Sequence, residues 1–396
     1  MRSQTAGLLL ITASFLWSGC SGSSVPGAPV ATRKVPPSTV NAHLIAAMPS
    51  AIPDAQIDAN ISTGITGSDR QVIHDLMLKL RPESRKNVIY FAANGKIYAN
   101  RSELLKGVGI AQPVPGKPRT YRHANGEQFT VPMKASVVKP TDQRRTPQYF
   151  SPPDGSTTTG PYRRIFSNTG YSYTAGNVDT PCNPSNIPAT VTANDTGYMY
   201  IGGWSDSGDQ VDAGLQYSSV YNNYEPYFLH AGDPPADIAF SYPCGNSAFM
   251  EFYVVDPTHV DLTINGFDST GAPSTYSYVG LVPSGNGWSP DGSGPQGGGV
   301  MKRALSIAQS SQSLNNGEYF GYDPVNNVPT IGWSQWQVGT NYAPGGNYPS
   351  VPLDNTTGGS DVFPSNGDVH TARFSNSTNP LDDVEGIYLD PNNPAP

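Results

Sequence analysis

The chain of 396 residues is acidic, with 23 Lys and Arg against 31 Asp and Glu and a formal net charge of −8. We see no polybasic patch, which argues against a nucleic-acid partner, because phosphate backbones are bound by clustered cations. Charged residues make up only 14%, while Gly (42) and Pro (38) are abundant. This composition is typical of a turn-rich β protein outside the cytoplasm and argues against a helical enzyme.

The first 19 residues have the features of an export signal, with a basic start followed by an apolar run from Ala6 to Trp17. That run is too short to span a bilayer as a helix. Ser18-Gly19-Cys20 resembles a bacterial lipoprotein cleavage site, which implies a lipid on Cys20. Trp17 departs from the pattern, so cleavage without lipid stays open. We expect a protein of the bacterial cell envelope, anchored to the membrane by an N-terminal lipid or secreted, with a flexible tether over residues 20–40.

Residues 41–135 are predicted to form a small α+β domain without a catalytic motif. Apolar residues at helical spacing follow Ser68 and stop before Pro82. Asn94-Gly95 and Asn125-Gly126 each separate two strand-like runs, which predicts two hairpins. His74 and His123 have no metal-like partner at short spacing, so we interpret both as structural or solvated.

A Pro- and Ser-rich linker is expected over residues 136–161, followed by the main domain over 162–396. Short strands separated by Gly- and Asn-rich turns recur through that domain, which is typical of an antiparallel sandwich or jelly roll. Cys182 and Cys244 are the two cysteines left after the signal, and an exported β protein predicts a disulfide between them.

The stretch from Tyr198 to His230 carries the candidate site. Val211, Ala213, Leu215 and Tyr217 alternate with polar or small residues, so Asp212 and Gln216 share the opposite strand face. A second strand, 224–229, follows a turn and places Glu225 and Tyr227 on one face. This polar face is either a site or the solvated outer face of the sandwich.

The order GGW, VDAGLQYS, YNNYEPYF and AGD resembles the core of the glutamic peptidases of the eqolisin kind. The resemblance implies a concanavalin-like β-sandwich. By position, Gln216 matches the family's catalytic glutamine, Glu225 matches a glutamate on an aromatic strand, and Gly232-Asp233 match a turn. The chain departs where the family has its catalytic glutamate, because the best matching strand, 302–309, contains no acid.

The same sandwich class is similar to legume-type lectins and jelly-roll polysaccharide lyases, which stack aromatic side chains on sugar rings. Trp333 and Trp336 straddle two residues, so alternation predicts that at least one of them is exposed. The candidate ligand-binding residues are Asp212, Tyr217, Tyr224, Tyr227, Trp333 and Trp336.

Three functions therefore remain open, and the sequence does not decide whether the chain is an enzyme. The leading hypothesis is a surface module that binds an extracellular polymer, either glycan or peptide. The second is a diverged hydrolase that uses Gln216 and Glu225, and the third is a structural envelope protein. No motif for a metal or an organic cofactor is present in the sequence, so none is predicted.

Overall fold

The structure is a computed structural model. It describes residues 51–132, 160–182, 195–230, 233–310, 314, 316–341, 348–354, 356–364, 369–373 and 383–392. The export signal, Cys20, the tether and nearly all of the linker lie outside these residues, so those expectations stay predictions. Within the described ranges, no helix is both long and apolar enough to cross a membrane.

Helical structure is confined to the N-terminal part of the described chain. It consists of α1 (Ile57–Asn60), α2 (Gly67–Lys79) and three 3-10 turns, at Asp54–Gln56, Pro82–Arg85 and Ser102–Gly107. The predicted helix after Ser68 is confirmed as α2, which ends just before Pro82 because a proline removes a backbone donor.

The remaining elements are strands, numbered here in chain order. They are β1 (Val88–Phe91), β2 (Ile97–Ala99), β3 (Val108–Ile110), β4 (Gln112–Pro113), β5 (Thr120–Arg122), β6 (Gln128–Thr130), β7 (Tyr162–Ser167), β8 (Tyr173–Thr180), β9 (Thr196–Trp204), β10 (Gln210–Ser218), β11 (Asn223–His230), β12 (Ala236–Ile238), β13 (Tyr242–Pro243), β14 (Asn246–Asp256), β15 (His259–Phe267), β16 (Pro273–Leu281), β17 (Val300–Ala308), β18 (Tyr319–Phe320), β19 (Tyr322–Asp323), β20 (Val328–Pro329), β21 (Ile331–Gly339), β22 (Ser350–Pro352), β23 (Gly358–Phe363), β24 (Val369–Arg373) and β25 (Asp383–Tyr388).

Two large sheets carry the fold and confirm the predicted β-sandwich. One has eleven described strands, in the order β18-β25-β21-β8-β14-β15-β16-β1-β2, with β22 beside β21 and β24 beside β25. The other has seven, in the order β13-β11-β10-β9-β17-β7-β23. Strand β1 pairs with β16 in parallel, whereas the pairs of the seven-stranded sheet are antiparallel.

The main core is built from the apolar faces of both sheets. Alternation along β10 and β15 turns Val211, Leu215, Leu262 and Ile264 into this core, as their period of two predicts. Arg303 is also turned inward, where it donates hydrogen bonds to carboxylates on β25.

The N-terminal residues cover the outer faces of the sandwich. The apolar side of α2, with Ile73 and Met77, packs on Tyr173 and Tyr253 of the eleven-stranded sheet. A three-stranded sheet, β4-β5-β6, packs instead against the seven-stranded sheet. Residues 43–396 accordingly form one compact unit.

The predicted disulfide is confirmed. Cys182 and Cys244 are bonded, with 4.7 Å between their Cα atoms. The bond links Cys182, just after the end of β8, to Cys244, just before the start of β14. These two strands are neighbours in one sheet.

The expectation that Trp333 or Trp336 is exposed is wrong, because each is only 1% exposed. Strand β21 shifts register between Ser334 and Gln337, and Gln335 has a positive φ of 55°. This irregularity breaks the alternation and turns both indoles into the core, at 5.1 Å between ring centroids. Gly176 makes room, since a Cβ there would lie 2.0 Å from Trp336.

Candidate functional site

The pairing of β10 with β11 brings the two matched polar residues together. Gln216 lies directly opposite Glu225 in the antiparallel register, and Asp212 lies opposite Leu229. Because cross-strand partners project to the same side, Gln216 and Glu225 share the outer face of the seven-stranded sheet. The predicted common face of Asp212, Gln216 and Glu225 is therefore confirmed.

That face is not solvated, which corrects one interpretation of the sequence. Asp212, Gln216 and Glu225 are 5%, 3% and 5% exposed. Above Gln216 and Glu225 lies the segment of residues 111–131, which contains β4 to β6 and is called the cover from here on. Its Phe129 and Val131 pack on tyrosines of the sheet, so apolar burial holds it in place.

His123, in the cover, lies between the two matched residues. Its Nε2 atom is 3.0 Å from Gln216 Nε2 and 3.4 Å from Glu225 Oε2. Its Nδ1 atom is 2.9 Å from Asp237 Oδ1, and the Ala124 N–H donates to the other oxygen of that carboxylate. Of the two interpretations of His123, structural or solvated, the solvated one is wrong, because the residue is only 7% exposed, and neither predicted its contact with Gln216 and Glu225.

The protonation of this group follows from burial and charge. Burial raises the pKa of Glu225 to about 7, against the opposing effect of His123. Burial also works to lower the pKa of His123, but the hydrogen bond to Asp237 and the charge of Glu225 prevail and raise it. The pKa of Asp237 is lowered, because its hydrogen bonds outweigh its burial. The site therefore favours an imidazolium ion between acids.

An imidazolium requires one orientation of the Gln216 amide, because Gln216 Nε2 and His123 Nε2 lie 3.0 Å apart and two donors cannot bond to each other. Tyr198 Oη lies 2.7 Å from the Thr130 carbonyl and 3.1 Å from the Gln216 amide, and its one proton can serve only one of them. With the Gln216 amide turned over, its oxygen faces the doubly protonated ring and accepts from His123, and its nitrogen donates to Tyr198. Tyr198 then donates to Thr130, and every group in the chain of bonds is satisfied.

The other aromatic candidates do not line an open groove. Tyr217 and Tyr224 belong to the main core on the opposite face of the sheet, at 5.3 Å between ring centroids. Tyr227 does share the face of Gln216, but its ring packs at 4.7 Å from that of Tyr198 under the cover. The five proposed sugar-stacking residues are therefore all buried, four of them in the main core between the sheets and Tyr227 beneath the cover.

Asp212 has a partner that the sequence did not indicate. It forms an ion pair with Lys302, two strands away on β17. The strand between them has Gly202 at this register, which leaves no side chain in the way. Burial lowers the pKa of Lys302 to about 8, opposed by the charge of Asp212. Asp212 therefore belongs to a separate ion pair and does not touch Gln216.

No metal centre is found within the described ranges, where no group of three or more His, Cys, Asp or Glu could hold an ion. Asp233, at the matched Gly-Asp turn, lies 2.8 Å from His230 through Oδ2 and Nδ1. Gly232 lies outside the described residues.

Comparisons with known proteins give only distant likeness. No family model matches the chain, and no curated protein matches it. Among solved structures, it is similar to Scytalido-glutamic peptidase with a peptide-based transition state analog, at 11% identity and a TM-score of 0.37. It is also similar to SCP-B, a member of the Eqolisin family of peptidases, in a complex with the tripeptide Ala-Ile-His, at 11% identity and a TM-score of 0.35. Each comparison covers 58% of this chain and 98% of the other.

Proposed function

We propose that the chain is a peptide-bond hydrolase whose reacting groups are Gln216 and Glu225, and that the described conformation is its latent form. One observation carries the proposal. A single atom, His123 Nε2, lies within 3.4 Å of both side chains. A small polar group at that position touches the carboxamide and the carboxyl group together, so a water molecule there would be held by both.

The two side chains can supply the two halves of amide hydrolysis. As a carboxylate, Glu225 removes a proton from the water, whose oxygen forms the new bond to the carbonyl carbon. The Gln216 amide donates a hydrogen bond to the oxyanion that develops. The protonated Glu225 then gives its proton to the departing nitrogen as the carbon–nitrogen bond breaks.

The present state is latent because His123 occupies the water position and the cover excludes substrate. Opening the cover would also change the pKa of Glu225. Burial is the main reason that the pKa of Glu225 is raised, so exposure to solvent would return it towards its ordinary range. Glu225 would then be ionised in mild acid, as a general base requires.

The resemblance of the sequence motifs to glutamic peptidases supports the role of Gln216. The role of Glu225 is specific to this proposal, because β17 offers Lys302, Ala304 and Ser306 to this face and no acid. The burial of the aromatic candidates weighs against the sugar-binding alternative, which needs exposed rings around a groove.

The test is cleavage of a denatured protein substrate between about pH 2 and 7. We expect little activity from the unmodified chain and clear activity from His123→Ala, which frees the water position and loosens the cover by removing the ring that stacks on Phe129. Adding Glu225→Gln or Gln216→Ala to His123→Ala should abolish it. His74→Ala, a substitution on α2 remote from the site, is the matched control and should behave like the unmodified chain.

Two results would contradict the proposal. One is a folded His123→Ala variant, with intact disulfide and native circular dichroism, that cleaves nothing across this pH range even after the cover is loosened. The other is cleavage that survives Glu225→Gln, which would remove Glu225 from the chemistry.

A further inference from the structure

We infer that the outer face of the seven-stranded sheet beside Gln216 is a binding site for an extended peptide with apolar side chains two residues apart. As a statement about substrate it rests on the proposed function. That this face binds an extended peptide is supported independently by the contacts of the cover, because its segment Phe129-Thr130-Val131 occupies the face.

The first element of the site is a pair of side chains that hold a peptide backbone. Thr130 N–H donates to Thr196 Oγ1 at 3.1 Å, and Tyr198 Oη donates to the Thr130 carbonyl at 2.7 Å. Thr196 and Tyr198 are two residues apart on β9, so they project from the same face. Contacts to the main chain hold an extended segment whatever its side chain at that residue is.

The second element is an apolar pocket beside this anchor. Phe129 and Val131 pack in one cluster with three tyrosines and two alanines of the sheet. Those five residues are Tyr198, Tyr200, Tyr227, Ala304 and Ala308. The alanines are on β17, where a larger residue would fill the space that the cover now occupies. Residues two apart in an extended chain project to the same side, so the pocket selects an apolar residue on each side of the anchored one.

The third element is the link between the pocket and the reacting pair. Tyr198 contacts both the Thr130 carbonyl and the Gln216 amide. The ring of His123 stacks on Phe129 at 4.2 Å between centroids. A bound segment is thereby placed against Gln216 by the same hydroxyl that holds its backbone. A charged side chain in the pocket is disfavoured, because it would be buried without a partner.

The probe is the capped synthetic peptide Glu-Gln-Phe-Thr-Val-Pro-Met, which copies residues 127–133. The host is the full chain with Phe129→Ala, which weakens the hold of its own segment. We expect saturable binding by calorimetry, at least about tenfold tighter than to the unmodified chain, whose site is filled. Replacing both Phe and Val of the peptide with Ser should weaken binding by about tenfold or more. Tyr198→Phe in the host should weaken it as well.

Equal binding of the two peptides by a folded host would overturn the inference. Binding of the original peptide that is unchanged when the host carries Tyr198→Phe would also overturn it. A second measurement covers the case in which the host does not fold. In the otherwise unmodified chain, Thr196→Val should speed amide exchange of Thr130 without changing exchange in β15. Unchanged exchange at Thr130 would equally overturn it.

The two proposals fail separately. Peptide binding without cleavage would refute the hydrolase and leave the binding site. Cleavage of the Ser-substituted peptide as fast as of the original would refute the pocket and leave the hydrolase.

Discussion

Phe129→Ala should open the cover without unfolding the sandwich. Phe129 is 2% exposed and packs both on the tyrosines of the sheet and on the ring of His123. Removing a buried phenyl ring costs about 3–5 kcal/mol where the site cannot collapse. The lower figure raises the equilibrium constant for opening by a factor on the order of 100.

Amide hydrogen exchange is the appropriate assay, because it reports opening region by region. In Phe129→Ala, we expect the amides of β5 and β6 to exchange about 100-fold faster, with little change in β9, β10 and β15. Phe252→Ala is the matched control, since Phe252 is fully buried in the main core between the sheets. It should lower the free energy of unfolding of the whole sandwich by a similar amount and accelerate exchange everywhere.

If Phe129→Ala behaves like Phe252→Ala, the cover does not open on its own. A loss of global stability with no preferential exchange in β5 and β6 would mean that the cover unfolds only with the sandwich. The latent form would then have no local route to an open site.

Two further predictions follow from buried charges. Protection of the cover from exchange should be greatest at intermediate pH. The stability that His123 contributes is complete below its unfolded pKa and is lost as pH rises through its raised folded pKa. The stability that Asp237 contributes is lost as pH falls through its lowered folded pKa. Exchange in β6 against pH measures this, and an unchanged profile in His123→Gln would contradict it. Arg303→Met should lower the free energy of unfolding by about 3–5 kcal/mol, because it removes the buried guanidinium that donates to both Asp383 and Glu385. Denaturant titration tests this, and adding Asp383→Asn and Glu385→Gln should restore most of the loss.

The sequence predicted those parts of the site that depend on local pattern. Alternation along β10 and β11 and the short turn between them were enough to place Gln216 and Glu225 on one face. The hairpin at Asn125-Gly126 was also predicted. The position of His123 was not, because it is 93 residues from Gln216 in the chain, and no local pattern encodes which surface a hairpin covers.

Two other contacts in the structure differ from what the sequence predicted. One depends on a backbone irregularity and the other on the absence of a side chain. The register shift in β21 turned Trp336 inward, against simple alternation. Gly202 lets Lys302 reach Asp212 across an intervening strand, a contact that depends on which strands are neighbours. In the sequence alone, a glycine indicates only backbone freedom. That Gly202 leaves space between the side chains of Asp212 and Lys302 follows only from the order of the strands in the sheet.

The parallel pairing of β1 with β16 has a consequence for any processing of this protein. The β1–β2 hairpin lies at the end of the eleven-stranded sheet, where β1 pairs with residues 277–280 of β16 and shields them from serving as an open edge. A cut that freed the whole N-terminal region would expose this part of β16 to pairing with other molecules. A cut that freed the cover alone would leave the hairpin in place. Freeing the cover without the hairpin requires that the cut on the N-terminal side of the cover lie between Ala99, at the end of β2, and Gln112, at the start of β4.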